Sequence, residues 1–241
     1  MGATSAIAEH CARHWVQGAG IELVLVGRDF ERIERVAADL RVRNPASQIE
    51  AAQVDFTSAD AIITMTRTIV AQGVPDVVLI AHGSLPDQQA CQENLHATRD
   101  ALEVNGISPV LFAEAFASHL VLAGRGTIAV ISSVASDRGR KSNYVYGAAK
   151  GLVSRYAEGM QHRFAGTGIK VALIKPGPTD TPMTAELKGR GTKLASVEEV
   201  AHRIVKGIDR GESTIYVPGK WRLIMWVIRH LPTFLFNKLD I

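Results

Sequence analysis

Residues 127–150 read TIAVISSVASDRGRKSNYVYGAAK, and this stretch contains the pattern that decides the fold. An apolar, β-branched run over 127–131 is followed by two serines, a polar segment and a stretch of helical period that begins at Tyr144. A buried strand, a loop at its carboxyl end and a helix that packs back on the sheet make one strand–helix unit. The stretch therefore predicts a parallel α/β sheet.

The same alternation of short apolar runs and longer helical segments extends along the rest of the chain. It predicts an α/β fold with a doubly wound, Rossmann-type parallel sheet that has helices on both faces. The predicted strands are 23–26, 49–54, 77–80, 127–131, 171–174 and 214–217, and the predicted helices are 7–17, 30–43, 59–72, 95–122, 144–164 and 197–210. With no linker or internal repeat, we expect one catalytic domain over 1–217 and an apolar and basic helical tail over 218–241.

Two segments depart from a regular strand–helix repeat. Gly2 follows Met1 directly, so the apolar strand that usually opens such a domain is missing. Either the true start lies upstream, which we favour, or the sheet lacks what is usually its central strand. Gly, Pro and Thr are concentrated in residues 175–194, which predicts a mobile loop or lid above the carboxyl edge of the sheet.

The composition narrows the class of protein. The 27 basic and 24 acidic residues of the 241-residue chain are mixed and give a net charge of +3, so nucleic-acid binding is not indicated. Cys11 and Cys91 have neither metal-ligand spacing nor the density of a disulfide framework, so we expect no metal site and a reducing, cytoplasmic location. The sequence shows no signal peptide and no uninterrupted run of about 18 apolar residues.

The sharpest chemical signal is the pair Tyr146 and Lys150. Their i, i+4 spacing places a phenol and an ammonium on one face of a helix, where the cation would lower the Tyr146 pKa towards the range of a general acid or base. The alternative is that Tyr146 and Lys150 form an ordinary pair on the protein surface. Three further features favour a catalytic site, because they occur in the expected order along the chain. They are Asn105, Ser133 at the end of a strand, and the Pro176-Gly177 turn.

A cofactor site is predicted at the start of the chain. The turn Gly2-Ala3-Thr4-Ser5-Ala6-Ile7-Ala8 leads into an amphipathic helix, whose free N–H groups and dipole would face a pyrophosphate. The alternative is an ordinary helix start that is capped by Ser5 or Thr4.

The adenosine end of the cofactor would lie beside Arg28 and Asp55. Arg28 follows the second predicted element and suits a 2′-phosphate, which favours NADP(H) over NAD(H). A solvated Arg28 that pairs with Glu31 or Asp29 is the alternative. Asp55 would accept a hydrogen bond from the adenine amino group, or else cap the following helix.

These motifs together resemble the short-chain dehydrogenase/reductase family from Gly2 to about Val217. The resemblance implies that Tyr146 exchanges the proton, Lys150 binds the nicotinamide ribose and lowers the Tyr146 pKa, Ser133 polarises the carbonyl, and Asn105 holds a water for proton relay. It also implies reduction of a ketone to an alcohol with NADP(H), in a homodimer or homotetramer. The remaining residues implied to hold the cofactor are Gly83, Pro176, Gly177, Thr179 and Thr181.

The chain departs from the family pattern at two glycine-rich places. Ala6 and Ala8 stand where the family has glycines. Ile80-Ala81-His82-Gly83 replaces the usual Asn-Asn-Ala-Gly, so only the glycine that approaches the adenine ribose is kept, and we interpret His82 as a loop or core histidine. A scaffold or cofactor-sensing protein without turnover is therefore the rival hypothesis, and a soluble general carbonyl reductase is another.

The tail over 221–236 is apolar and is interrupted by a few basic residues, so it needs a partner. A membrane interface is one interpretation, while a dimer interface or the protein's own substrate cleft is the other. The tail, Ala81-His82-Gly83 and the basic loop Arg138-Gly139-Arg140-Lys141 are similar to those of decaprenylphosphoryl-2-keto-pentose reductases. This similarity implies a polyprenyl-phosphate-linked keto-sugar as substrate, peripheral contact with the inner face of the membrane, and a lipid phosphate held by Arg138, Arg140 or Lys141. A solvated basic loop is the alternative.

Overall fold

Parallel strands and helices alternate along the chain in the computed structural model, which describes residues 1–189 and 193–239. The alternation confirms the predicted Rossmann-type α/β fold, and each predicted strand is present with ends that differ by at most two residues. The strands are β1 (Glu22–Gly27), β2 (Gln48–Gln53), β3 (Val77–Ile80), β4 (Gly126–Ile131), β5 (Ile169–Pro176) and β6 (Thr214–Val217).

The helices connect the strands and also form the C-terminal tail. A π turn, Glu103–Ile107, interrupts the single helix that was predicted over 95–122. Short 3₁₀ turns lie at Val134–Ser136 and Pro182–Thr184. The helices are α1 (Ala6–Trp15), α2 (Phe30–Arg43), α3 (Ala59–Gln72), α4 (Gln88–Glu93), α5 (Leu95–Leu102), α6 (Ser108–Ala123), α7 (Tyr144–Arg163), α8 (Ala185–Gly189), α9 (Val197–Asp209), α10 (Lys220–His230) and α11 (Thr233–Phe236).

The strands form two groups, β1–β2 and β3–β4–β5–β6, and every pair is parallel. The first residues of the chain lie between the groups: the Gly2 N–H donates to the Val26 carbonyl (2.8 Å), and the Ala81 N–H donates to the Met1 carbonyl (2.9 Å). Among the described residues no strand precedes α1. The sheet is therefore divided where the sequence led us to expect a missing strand.

The core lies on both faces of the sheet, as a doubly wound fold requires. Along β4, Ile128 and Val130 point to a cluster with α3, α6 and α7, while Ala129 and Ile131 point to a cluster with α1 and α9. This alternation follows from the period of two along a strand. A third cluster packs α1 and α2 against β1 and β2. The carboxyl ends of the strands are thus fixed at one edge, where the site lies.

Within residues 1–189 and 193–239, one helical run, Leu95–Ala123, has the length and mean hydropathy of a membrane span. Polar and charged residues such as Arg99, Asp100 and Glu103 interrupt this run, so it is not a continuous apolar stretch. Its second half, α6, packs against β3, β4, α3 and α7, and Phe112, Phe116 and Leu120 are fully buried there. We therefore interpret it as a core helix.

The predicted lid over 175–194 is partly regular in the residues that are described. It contains the 3₁₀ turn and α8, and Asp180 and Pro178 form backbone hydrogen bonds with Ala195 (2.8 and 2.9 Å). Residues 190–192 of the predicted lid, and 240–241 of the tail, lie outside the described residues. The movement of this segment stays a prediction.

Candidate active site

The first turn of α7 brings Tyr146 to Ser133. A Cβ added at Gly147 would lie 3.0 Å from the Ala135 carbonyl oxygen, so the helix can approach the 3₁₀ turn after β4 this closely only because residue 147 lacks a side chain. The phenol of Tyr146 then lies close to the Ser133 hydroxyl, which accepts a hydrogen bond from the Ala135 N–H (3.1 Å). Two groups that could hold one carbonyl oxygen are therefore adjacent.

Lys150 is buried beneath this pair. Its Nζ donates to the Ile131 carbonyl (3.1 Å) and lies 5.9 Å from the centroid of the Tyr146 ring. Burial lowers the Lys150 pKa to about 8, because the charged ammonium loses hydration.

The predicted direction of the Tyr146 pKa is wrong for this structure. Burial raises the pKa, and the nearby Ser133 hydroxyl only partly opposes that change. Lys150 does not offset this desolvation, because its ammonium donates to the Ile131 carbonyl and lies 5.9 Å from the centroid of the Tyr146 ring. The phenol therefore stays protonated at neutral pH.

Asn105 is fully buried in the π turn. Its Oδ1 accepts from the Ser84 N–H (2.8 Å) and its Nδ2 donates to the Ala101 carbonyl (2.9 Å). A Cβ at Gly106 would lie 3.3 Å from the Cα of Ala149, so a small residue there lets the π turn pack closely on α7. This packing brings Asn105 towards Lys150.

Gly83 lies between Asn105 and Lys150. A Cβ at this position would be 2.8 Å from Asn105 Oδ1 and 3.4 Å from Lys150 Nζ. A side chain would therefore displace one of the two polar groups. The backbone after β3 can approach them, and a ligand placed there would meet both.

The turn before α1 is suited to an anion. Gly2 has a φ of +82°, and a Cβ there would lie 2.6 Å from the His82 backbone nitrogen, so both conformation and space require glycine. Ser5 is the N-cap residue of α1, but its side chain makes no capping hydrogen bond. The predicted alternative, a helix capped by Ser5 or Thr4 in the ordinary way, is therefore wrong for Ser5. The N–H groups at the start of the helix remain for a ligand.

Arg28 and Asp55 line one surface pocket with Gln53 and Val54. Within residues 1–189 and 193–239, Arg28 forms no ion pair with Glu31 or Asp29. The exposed guanidinium can thus meet a ligand.

Asp55 does not cap α3, and that alternative was wrong. Ser58 is the cap and accepts from the Ala61 N–H (3.2 Å). Asp55 Oδ1 instead accepts from the backbone N–H (2.8 Å) and hydroxyl (2.7 Å) of Thr57. The Thr57 backbone N–H, more than Arg28, lowers the pKa of Asp55 and keeps it ionised.

The turn after β5 lies against the tail. Gly177 donates its N–H to the Val217 carbonyl (2.8 Å), and a Cβ added to it would overlap the indole of Trp221. Thr179 Oγ1 donates to the Gly177 carbonyl (2.9 Å), and the Thr181 N–H donates to Thr184 Oγ1 (3.2 Å). The two threonines are thus held by their own loop beside the carboxyl edge of β5.

The residues present fit a dinucleotide cofactor. The uncapped N-terminus of α1 suits a pyrophosphate, the pocket of Arg28 and Asp55 lies beside β1, and Gly83 offers close approach of the backbone near Lys150. The sequence profile described as short chain dehydrogenase matches residues 1–190. The chain belongs to this family of oxidoreductases.

Individual relatives and solved structures are consistent with this family assignment. An uncharacterized oxidoreductase of Streptomyces coelicolor is 29% identical over 99% of this chain and 94% of its own length. The structure of a short-chain dehydrogenase from Sphingobium yanoikuyae in complex with NADPH has a TM-score of 0.83 at 23% identity, and the match covers 99% of this chain and 94% of that one. A short-chain dehydrogenase from Burkholderia cenocepacia in complex with NADP also has a TM-score of 0.83, at 17% identity, over 100% and 95% of the two chains. At these identities the two structures show a shared fold.

Sequence reasoning missed a buried polar cluster beside the site of this short-chain dehydrogenase. Lys175 Nζ lies 2.5 Å from Asp137 Oδ1, and the Tyr216 hydroxyl donates to Asp137 Oδ2 (2.8 Å). The side chains of Lys175 and Asp137 are only 5% and 2% exposed. The three residues are far apart in sequence and share no spacing, so no local signal reveals them.

The basic loop of this short-chain dehydrogenase is not simply solvated. Arg138 Nη1 donates to the carbonyls of Ile228 and Leu231 (both 2.6 Å), and its guanidinium lies 3.8 Å from the centroid of the Phe236 ring. The tail therefore binds the Arg138 guanidinium, which we had expected to meet either a lipid phosphate or solvent. Burial lowers the pKa of Arg140, while Lys141 is exposed.

His82 is a core histidine, as predicted. It packs edge-on against Phe56 and Phe112, and its Nε2 shares a hydrogen bond with Ser108 Oγ (2.9 Å). Burial keeps its pKa well below the ordinary value. A neutral, buried imidazole here has a packing role.

Proposed function

We propose that this short-chain dehydrogenase is an NADPH-dependent ketoreductase. The observation that carries the proposal is the adjacent pair of Ser133 and Tyr146, with Lys150 beneath it and Asn105 across Gly83. NADPH, when bound, supplies the hydride that reduces the carbonyl carbon.

The side chains of the site have distinct roles in this proposal. Ser133 holds the carbonyl oxygen by a hydrogen bond, and Tyr146 donates a proton to that oxygen as negative charge develops on it. The raised pKa of Tyr146 suits a general acid, because the phenol is protonated before the reaction. Lys150, with a pKa of about 8, and Asn105 return a proton to Tyr146 from solvent through ordered water.

The cofactor would lie along the carboxyl edge of the strands, with NADP(H) favoured over NAD(H). The turn over 2–7 would hold the pyrophosphate, Arg28 the 2′-phosphate and Asp55 the adenine. The complexes of the two structural neighbours with NADPH and NADP support this choice. Residues assigned to the ribose and nicotinamide are Gly83, Tyr146, Lys150, Pro176, Gly177, Thr179 and Thr181.

Arg28→Ala is expected to weaken NADPH binding by about 1.5–3 kcal/mol and to leave NADH binding nearly unchanged. The reason is that only NADPH carries the extra phosphate. Dissociation constants for both nucleotides, measured by nucleotide fluorescence, test this, and Arg32→Ala, which removes an exposed cation from the first turn of α2, is the control. Equal weakening of both nucleotides would show that Arg28 does not recognise the phosphate.

Turnover of a panel of ketones tests the reductase itself. NADPH should bind and its absorbance should decrease in the presence of at least one ketone. Ala6, Ala8 and the divided sheet motivate the rival hypothesis of a scaffold without turnover. Binding of NADPH with no turnover across small, cyclic and sugar-derived ketones would favour that rival.

We further propose a lipid-linked keto-sugar as the substrate of a cytoplasmic enzyme that contacts the inner face of the membrane. The support is the outer face of the tail, where Leu223, Trp226 and Phe234 are 68%, 60% and 67% exposed. The exposed Arg222 lies next to Leu223 on α10 and would face lipid phosphates. We also propose a homodimer or homotetramer, since Leu95, Leu152 and Tyr156 are exposed on α5 and α7.

We expect the intact chain to co-sediment with anionic liposomes. We expect this binding to weaken at high salt. Trp226→Gln/Phe234→Gln should lower the partition coefficient at least about tenfold, because burial of a large apolar side chain contributes about 1.5–3 kcal/mol. Leu122→Gln, which alters a side chain that is 87% exposed at the end of α6, is the matched control.

Circular dichroism must show that all three proteins are folded. A chain that ends at Val217 is a further comparison, although it also removes Trp221 and the buried Met225. If the intact chain and the variants remain equally in the supernatant, the outer face of the tail does not bind membranes.

A further inference from the structure

Helix α10 touches the two loops that border the candidate site. At its start, the Trp221 indole occupies the space into which a side chain at Gly177 would extend. At its end, the carbonyls of Ile228 and Leu231 accept hydrogen bonds from Arg138, five residues after Ser133. The helix therefore runs from the turn after β5 to the loop after β4.

The contact with Arg138 has the geometry of a helix C-cap. The last carbonyls of a helix have no partner within the helix, and a cation there also interacts favourably with the helix dipole. Arg138 binds two such carbonyls at once and places its guanidinium carbon 3.8 Å from the centroid of the Phe236 ring of α11. One side chain thus fixes both helices of the tail.

The neighbouring residue fixes the same loop on its inner side. Asp137 bridges Lys175, the residue before Pro176, and Tyr216, at the end of β6. Arg229 of α10 also lies near Tyr216 and acts to lower the pKa of its phenol, although burial and Asp137 raise it more. The segment between Ser133 and Tyr146 is consequently held between the sheet and α10, and a shift of α10 must act on that segment.

We propose that α10 forms the outer wall of the substrate site and that Arg138 is the positioning residue that holds it against the Ser133 loop. This inference rests on the proposed ketoreductase function and extends it. The wall beside Gly177 is the Trp221 indole, so the part of the substrate beyond the carbonyl group would be bulky and apolar on that side. Small ketones would not reach it.

Hydrogen exchange tests the coupling without any need for a substrate. Arg138→Ala should raise amide exchange at least about tenfold both in α10 and in residues 132–138. Arg222→Ala removes an exposed cation from α10 and leaves the cap in place, so it should change neither region. Arg138→Lys keeps the charge but loses the planar fork, and we expect an intermediate effect in a folded protein. A rise confined to the tail, or equal effects of Arg138→Ala and Arg222→Ala, would overturn the proposal.

Steady-state kinetics test whether α10 forms the outer wall of the substrate site. Arg138→Ala should raise KM about tenfold for ketones with a large apolar substituent, while kcat for a small ketone and the Kd for NADPH change less than twofold. An equal loss for small and large ketones would contradict a wall. If NADPH binds and no ketone is reduced, the proposed function fails, whereas the exchange experiment still decides whether α10 and the Ser133 loop are coupled.

Discussion

Tyr146→Phe is expected to lower kcat for ketone reduction by at least about a hundredfold, the scale of a lost general acid. The phenol hydroxyl touches Ser133 and is the group placed to protonate the carbonyl oxygen. Phenylalanine keeps the ring and its packing on α7, so the Kd for NADPH and the melting temperature should change little. Steady-state kinetics and thermal unfolding measure the two effects separately.

Tyr144→Phe is the matched control, because Tyr144 begins the same helix and is 45% exposed. It should retain the wild-type rate. Lys150→Ala should also lose at least about a hundredfold in kcat, since the ammonium, 5.9 Å from the centroid of the Tyr146 ring, is the group proposed to return the proton to Tyr146. A wild-type rate in Tyr146→Phe would refute the assignment of the general acid.

Asp137→Asn is expected to lower the free energy of unfolding by about 3–5 kcal/mol. The substitution keeps the shape of the side chain but leaves the Lys175 ammonium, 5% exposed, without a counter-charge. A buried ion loses hydration, and only its partner and hydrogen bonds offset that loss. Denaturant unfolding of the full chain at pH 7 measures the change.

A surface pair provides the comparison. Glu158→Gln breaks the ion pair with Arg155, whose side chain is 78% exposed, and should cost less than about 1 kcal/mol. The double variant Asp137→Leu/Lys175→Met removes both buried charges and should recover much of the loss seen in Asp137→Asn. If Asp137→Asn costs no more than Glu158→Gln, the pair makes no special contribution to stability.

The fold could be predicted because its signals are local. Apolar runs separated by helical periods predict the alternation of strands and helices along a doubly wound fold, and the i, i+4 spacing of Tyr146 and Lys150 places both on one helical face. Ser133 follows a strand that is recognisable from its own residues. These features depend on periodicity within a few turns of chain.

The contacts that organise the loop after β4 could not be predicted. Asp137 meets Lys175 across 38 positions and Arg138 meets Ile228 across 90, and no periodicity connects residues so far apart. The direction of the Tyr146 pKa shift could not be predicted from the sequence either, because it depends on how deeply the phenol is buried and which polar groups lie near it. The cap of α3 was ambiguous, since Asp55 and Ser58 are both good capping residues three positions apart.

The π turn at Glu103–Ile107 has a consequence for comparing this chain with its relatives. A π turn accommodates one residue more than a regular α-helical turn, and each residue of an α-helix rotates the chain by about 100°. Removing one residue from this turn would therefore rotate Asn105 away from Ser84 while α5 and α6 stayed continuous. An alignment that places a one-residue gap here equates Asn105 with a residue on a different side of the helix, although both sequences look uniformly helical.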